Sequence, residues 1–156
     1  MRSSWRAVWI FFSFRPDLFN ERSACNLYPG WFYALFDLSM ANIIMLTPDQ
    51  WVVEGKGGPF PEVLEIFSRF WDRIDLLCPK PARVEVTELH GNCFFHPLSG
   101  PKWQRPALIV KTVEGLLKKR PYHLVISHDY GWFLHGLAAR RLQKKHGLPF
   151  VSEYHV

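Results

Sequence analysis

Three short clusters hold the residues of this chain whose types suit chemistry. The first is the run Gly55-Lys56-Gly57-Gly58, the second Ser127-His128-Asp129-Tyr130-Gly131, and the third Ser152-Glu153-Tyr154-His155. Glycines let a backbone approach an anion closely, and a helix start behind them presents free N–H groups to it. A histidine titrates near neutral pH and can bond to, or exchange a proton with, a reacting group. Other readings stand beside these. Glycines after a first strand are more often only a turn, a lone histidine at a strand end is usually a hydrogen-bonded structural residue, and Asp129 before a helix suits a cap. Glu153 could equally pair with a nearby base.

Several chemistries are excluded. The glycine spacing matches neither GxGxxG nor GxxxxGK[ST], which argues against NAD binding and against a P-loop ATPase. Ser127-His128-Asp129 is not a hydrolytic triad, because a triad needs side chains converging from separate places, and no G-x-S-x-G elbow is present. Among His90, His96, His128 and His155 no pair has the i, i+4 spacing of a helical metal site. The cysteines, Cys25, Cys78 and Cys93, form no CxxC and no disulfide framework, so a reducing cytosol is the expected compartment.

The elements that must position these clusters alternate regularly from Met40 onward. A fully apolar run, Ile43 to Leu46, reads as a strand buried on both faces. A helix is predicted over 61–71, with Val63, Leu64, Phe67 and Phe70 as its apolar stripe. A strand over 74–78, extended segments at 84–86 and 92–96, and a helix over 105–119 follow. A strand over 122–127, a helix over 131–145 and a strand over 149–154 complete the run. Strands separated by helices predict an α/β fold, a Rossmann-like parallel sheet flanked by helices. In such sheets ligands sit beyond the carboxyl ends of the strands, where all three clusters are expected to meet.

Composition sets the remaining bounds. With 156 residues, 48% of them hydrophobic and 21% charged, the chain can bury a real core. The net charge of +5 favours anionic partners in general terms. Its densest patches, Lys118-Lys119-Arg120 and Arg140-Arg141 with Lys144-Lys145, fall at predicted helix ends, where cations complement the dipole. A membrane surface is the other partner weighed for them; nucleic acid is not expected, since no aromatic residues interleave these lysines. Residues 1–39 differ from the rest, with two aromatic-rich apolar runs too short to span a bilayer. They read as an extension, poorly ordered or not native, before a natural start at Met40; a membrane-contacting arm is the alternative. The chain stops directly after its last strand, so the domain over 40–156 is expected to be incomplete at its C-terminus and to expose apolar surface there.

Four stretches carry a family resemblance: NIIMLTPD with Gly57-Gly58, FSRFWDRIDLLCP, ISHDYGWFLHGLAARRL and LPFVSEYHV. Together they resemble the N-terminal domain of GT-B glycosyltransferases of the retaining family 4 type. The resemblance implies transfer of a sugar from a nucleotide-diphosphate sugar to a sugar or lipid-linked acceptor, with retention and with no metal or other cofactor. It implies that His128 stands beside the transferred sugar with Asp129 orienting its loop. It also implies that Gly57 and Gly58 lie against the donor diphosphate or the acceptor, and that His155, with Glu153, faces the cleft. The donor-binding half belongs to a second domain in that family, so this chain would hold the acceptor half, in the cytoplasm or at the inner face of the membrane. The alternatives are a non-catalytic ligand-binding or partner module working with a separate donor-binding chain, and a non-functional remnant.

Overall fold

The structure, a computed structural model, describes residues 41–130 and 132–155. The expectations for residues 1–39, with Cys25, and for Gly131 lie outside the described residues. Six strands form one sheet in the order β3-β4-β2-β1-β5-β6. They are β1 (Asn42–Leu46), β2 (Arg73–Pro79), β3 (Glu88–Leu89), β4 (Cys93–Leu98), β5 (Leu124–Tyr130) and β6 (Phe150–His155). Every pairing is parallel except that of β3, a two-residue edge strand antiparallel to β4. Among the described residues three helices flank the sheet: α1 (Pro59–Ser68), α2 (Arg105–Leu117) and α3 (Leu134–His146). The expected Rossmann-like α/β architecture is therefore what the described chain adopts. Among the described residues no helix is long and apolar enough to cross a membrane.

Period-two alternation divides the core. Ile43 and Met45 of β1 face one layer with Val52, Val53, Leu64 of α1, Ile74, Leu76 and Phe95. Ile44 and Leu46 face the other, with Ile109 and Val113 of α2 and Ala138, Ala139 and Leu142 of α3. Both faces of β1 are covered, which is why its sequence is apolar without interruption. The last turn of α3 carries Lys144, Lys145 and His146. Lys145 and His146 both reach Glu114 of α2, so part of this basic patch ties the two helices together at the surface.

Several boundaries differ from the sequence reading. The helix expected over 61–71 ends at Ser68, leaving Phe70 exposed beyond it; Val63 and Ile66 are exposed as well. The segment 84–86 is not a strand, although the N–H groups of Glu85 and Val86 both donate to the Val53 carbonyl. The crossover from β2 to β4 runs through loop and the short β3 rather than through a helix. Strand β5 runs three residues past its expected end, so His128 and Asp129 lie within it rather than behind it, and β6 ends one residue past its expected end.

His96 lies in β4, within the segment expected to be extended, and its Nε2 is 2.7 Å from Oδ1 of Asp75, a fully buried carboxylate in β2. Asp75 also accepts from Nε and Nη2 of Arg73, at 2.6 and 3.0 Å, and from the Tyr122 hydroxyl. Arg73 in turn lies 3.5 Å over the Phe94 ring. Burial pushes the Asp75 pKa up, but the hydrogen bonds of His96, Arg73 and Tyr122 outweigh it and hold the group well below the usual carboxylate range. Burial and the bond to Asp75 push the Tyr122 hydroxyl far up. Burial alone raises Cys93 to about 11, and burial with the nearby Asp49 charge raises Cys78 to about 12, so both are inert packing groups.

Removing one member of a buried charged network leaves the others uncompensated. Asp75→Asn is expected to destabilise the fold by about 3 kcal/mol at pH 7, measured by urea unfolding. Because the folded-state pKa is depressed, this contribution is fully present above the unfolded value, about 3.9, and is lost as pH falls toward the folded value. The gap between wild type and variant should therefore shrink below about pH 4.

Candidate functional site

A cleft of about 940 Å³ opens at the carboxyl ends of the strands. Its walls come from the segments after β1, β2 and β4, from Asp129 in β5, and from the starts of α2 and α3. The order β4-β2-β1-β5-β6 reverses direction between β1 and β5, and a crevice forms at such a reversal because the connections on either side diverge to opposite faces.

The segment after β1 is held by side chains as well as by glycines. Thr47 Oγ1 accepts from the Asp49 N–H at 3.1 Å, and Asp49 Oδ1 accepts from the Trp51 N–H at 2.7 Å. Val52 and Val53 are then buried under α1. This sequence sets Asp49 and Trp51 at the cleft and leaves Trp51 55% exposed. Gly55 has φ +70°, so it is the turn residue of the loop. Gly57 and Gly58 differ from it: a Cβ at either would meet no atom of the described residues within 4 Å. Packing among the described residues does not demand glycine at these two positions.

Adjacent residues of a strand point to opposite faces, and this separates His128 from Asp129. His128 and Glu153 are cross-strand neighbours in the β5–β6 register, with Nδ1 2.9 Å from Oε2. The His128 ring also lies edge-on to Phe60 in the first turn of α1, with centroids 5.7 Å apart. The Gly57-Gly58 loop leads directly into that turn, so the structure brings His128, Glu153 and the end of the glycine loop to one side of the sheet edge. A carboxylate at Nδ1 favours the Nδ1–H tautomer and makes Nε2 the basic nitrogen of the ring. None of these residues lines the large cleft. His155 closes β6, and its side chain lies outside the described residues.

Asp129 turns to the other face and into the cleft wall. It is buried, and its two oxygens accept the N–H groups of His135 at 3.0 Å and Gly136 at 2.7 Å. It therefore caps the start of α3 across the turn. Burial raises its pKa, but the hydrogen bond and charge of the His135 side chain together with the two N–H groups outweigh this and lower it. Phe133, just before α3, sits at φ +48°, a left-handed conformation strained for a bulky residue.

Sequence reading missed His135 and Gly136, along with the cleft residues Trp51, Lys80, Lys102, Arg105 and Trp132. A glycine inside a predicted helix is the signal that could have pointed to Gly136, since it often marks a close approach. A Cβ there would lie 2.9 Å from Asp129 Oδ2 and 3.3 Å from Ser152 Oγ. Among the described residues no three of His, Cys, Asp and Glu gather as a metal-holding group.

Comparison with protein-family models, curated proteins and solved structures found no significant match to this chain.

Two glycine substitutions separate these constraints. Gly136→Ala should push the Asp129 carboxylate off its cap and destabilise the fold by about 1–2 kcal/mol. Gly115→Ala, inside α2 with no atom of the described residues beyond its own helix backbone within 4 Å of the new Cβ, should stabilise it by roughly 0.5–1 kcal/mol. Thermal midpoints that moved in the same direction would contradict the close approach at Gly136.

Proposed function

We propose that residues 40–156 form the acceptor-side domain of a retaining glycosyltransferase of GT-B architecture. The observation that carries this reading is the His128–Glu153 pair, set beside the start of α1 at the carboxyl edge of the sheet. His128 belongs to one of the four stretches with family resemblance, where a histidine bonds to the transferred sugar. Glu153 fixes the ring orientation and tautomer, as a carboxylate does when it holds a functional imidazole. Asp129 acts at one remove: it pins α3, and with it the turn that follows β5. Gly57 and Gly58 leave open space before α1, where a ligand oxygen can meet backbone N–H groups.

The acceptor occupies the cleft, whose exposed tryptophans, Trp51 and Trp132, offer apolar ring faces to the C–H faces of a sugar. The nucleotide-diphosphate sugar is held by a second domain. Charge developing on the departing diphosphate is stabilised there by positive groups and helix ends. The second reading is a non-catalytic ligand-binding module that works with a separate donor-binding chain. It draws on the same cleft, whose described lining already includes cations and exposed tryptophans suited to a ligand.

The test is sugar transfer by a chimera of the full chain and a donor-binding domain of the retaining family 4 type. His128→Ala is expected to lower turnover about a hundredfold with the fold intact. Glu153→Gln should lower it less and alter the pH profile. Unchanged turnover in His128→Ala would leave His128 a structural histidine and remove the observation on which the reading stands.

A further inference from the structure

Three cations line the cleft. Lys80 follows the last residue of β2, Lys102 begins the short 3₁₀ turn 102–104, and Arg105 opens α2. Among the described residues none of the three is in an ion pair with a carboxylate. Arg105 is half-buried, and burial lowers its pKa, yet a guanidinium stays charged in proteins. A partly desolvated cation without a counter-charge is unfavourable, and an anion in the cleft would relieve it.

Two carboxylates share the cleft, Asp49 and Asp129, and both have other partners. Asp129 is held by two N–H groups of α3, and Asp49 takes the Trp51 N–H. A second observation points to a ligand. His135 is only 5% exposed in the cleft wall; its Nδ1 faces Asp129 Oδ1 at 3.6 Å, while its buried Nε2 has no hydrogen-bond partner among the described residues. A buried polar atom without a partner is uncommon and calls for one. Trp51 and Trp132, the latter 87% exposed, complete a site with cations for an anion and ring faces for a C–H-rich body.

We propose that this cleft binds a phosphate-bearing sugar or polyol, its phosphate held by Lys80, Lys102 and Arg105 and its body against Trp51 and Trp132. Taken with the acceptor reading on which it rests, this makes the acceptor a phosphoester, either soluble or the headgroup of a lipid.

Binding to the full chain is measured by calorimetry with inorganic phosphate, glucose 6-phosphate and glucose, and by sedimentation with vesicles of phosphatidylinositol or of phosphatidylcholine. At least one phosphoester probe, glucose 6-phosphate for a soluble source or phosphatidylinositol for a lipid one, should bind about tenfold or more tighter than its uncharged or zwitterionic counterpart. Arg105→Gln and Lys102→Gln should each weaken that binding about tenfold without moving the thermal midpoint. Equal binding of charged and uncharged probes, binding unaffected by both substitutions, or no binding of any phosphate probe would overturn the proposal. Phosphate-dependent binding without transfer by the chimera would keep this site and remove the transferase reading. Transfer by the chimera to an unphosphorylated acceptor, insensitive to Arg105→Gln, would do the reverse.

Discussion

The wall of the cleft at β5 and α3 depends on one buried carboxylate. Asp129 ends its course through β5 by accepting two N–H groups from the first turn of α3. Charge on the carboxylate and the positive end of the helix dipole attract each other, and burial strengthens that attraction. The contact fixes how closely α3 approaches the strand. It also explains why position 136 is glycine and why Phe133 accepts a left-handed backbone. His135 and Trp132 reach the cleft because the turn between β5 and α3 is held this tightly.

A second anchor lies in the middle of the sheet. Asp75 ties β2 to β4 through His96 and to the approach to β5 through Tyr122. It spans three strands of the sheet around β1, on the face covered by α2 and α3. With β2 and β4 so joined, the segments that follow them carry Lys80 and Lys102 to the same mouth as Arg105. The cleft is thus a consequence of strand order and of two buried carboxylates, one in the sheet and one at its edge.

The apolar run at β1 announced a buried central strand, and it is one, because nothing but burial on both faces explains four consecutive large apolar residues. The alternation of strands and helices likewise led to the right architecture. Positions within the edge were harder to read. Strand β5 ends in polar residues, so its pattern suggested an end three residues early, and parity along the strand then separated His128 from Asp129. Asp75 and His96 were invisible for a related reason: a buried ion network joins residues 21 and 47 positions apart, and only the strand register brings them together. The cations of the cleft lie on three different connections, and no spacing in the sequence ties them to one another. Glu153 beside His128 was foreseeable as a pairing, and the β5–β6 register places the two opposite each other.

The most direct test of the account is an NMR titration of the full chain, following assigned tryptophan indole N–H signals as sugars and sugar phosphates are added. A ligand seated at the carboxyl edge should move the signals of Trp51 and Trp132, which line the cleft, and leave that of Trp71, which precedes β2 at the opposite edge. Shifts at Trp71 with none at Trp51 or Trp132 would place binding elsewhere and contradict the account.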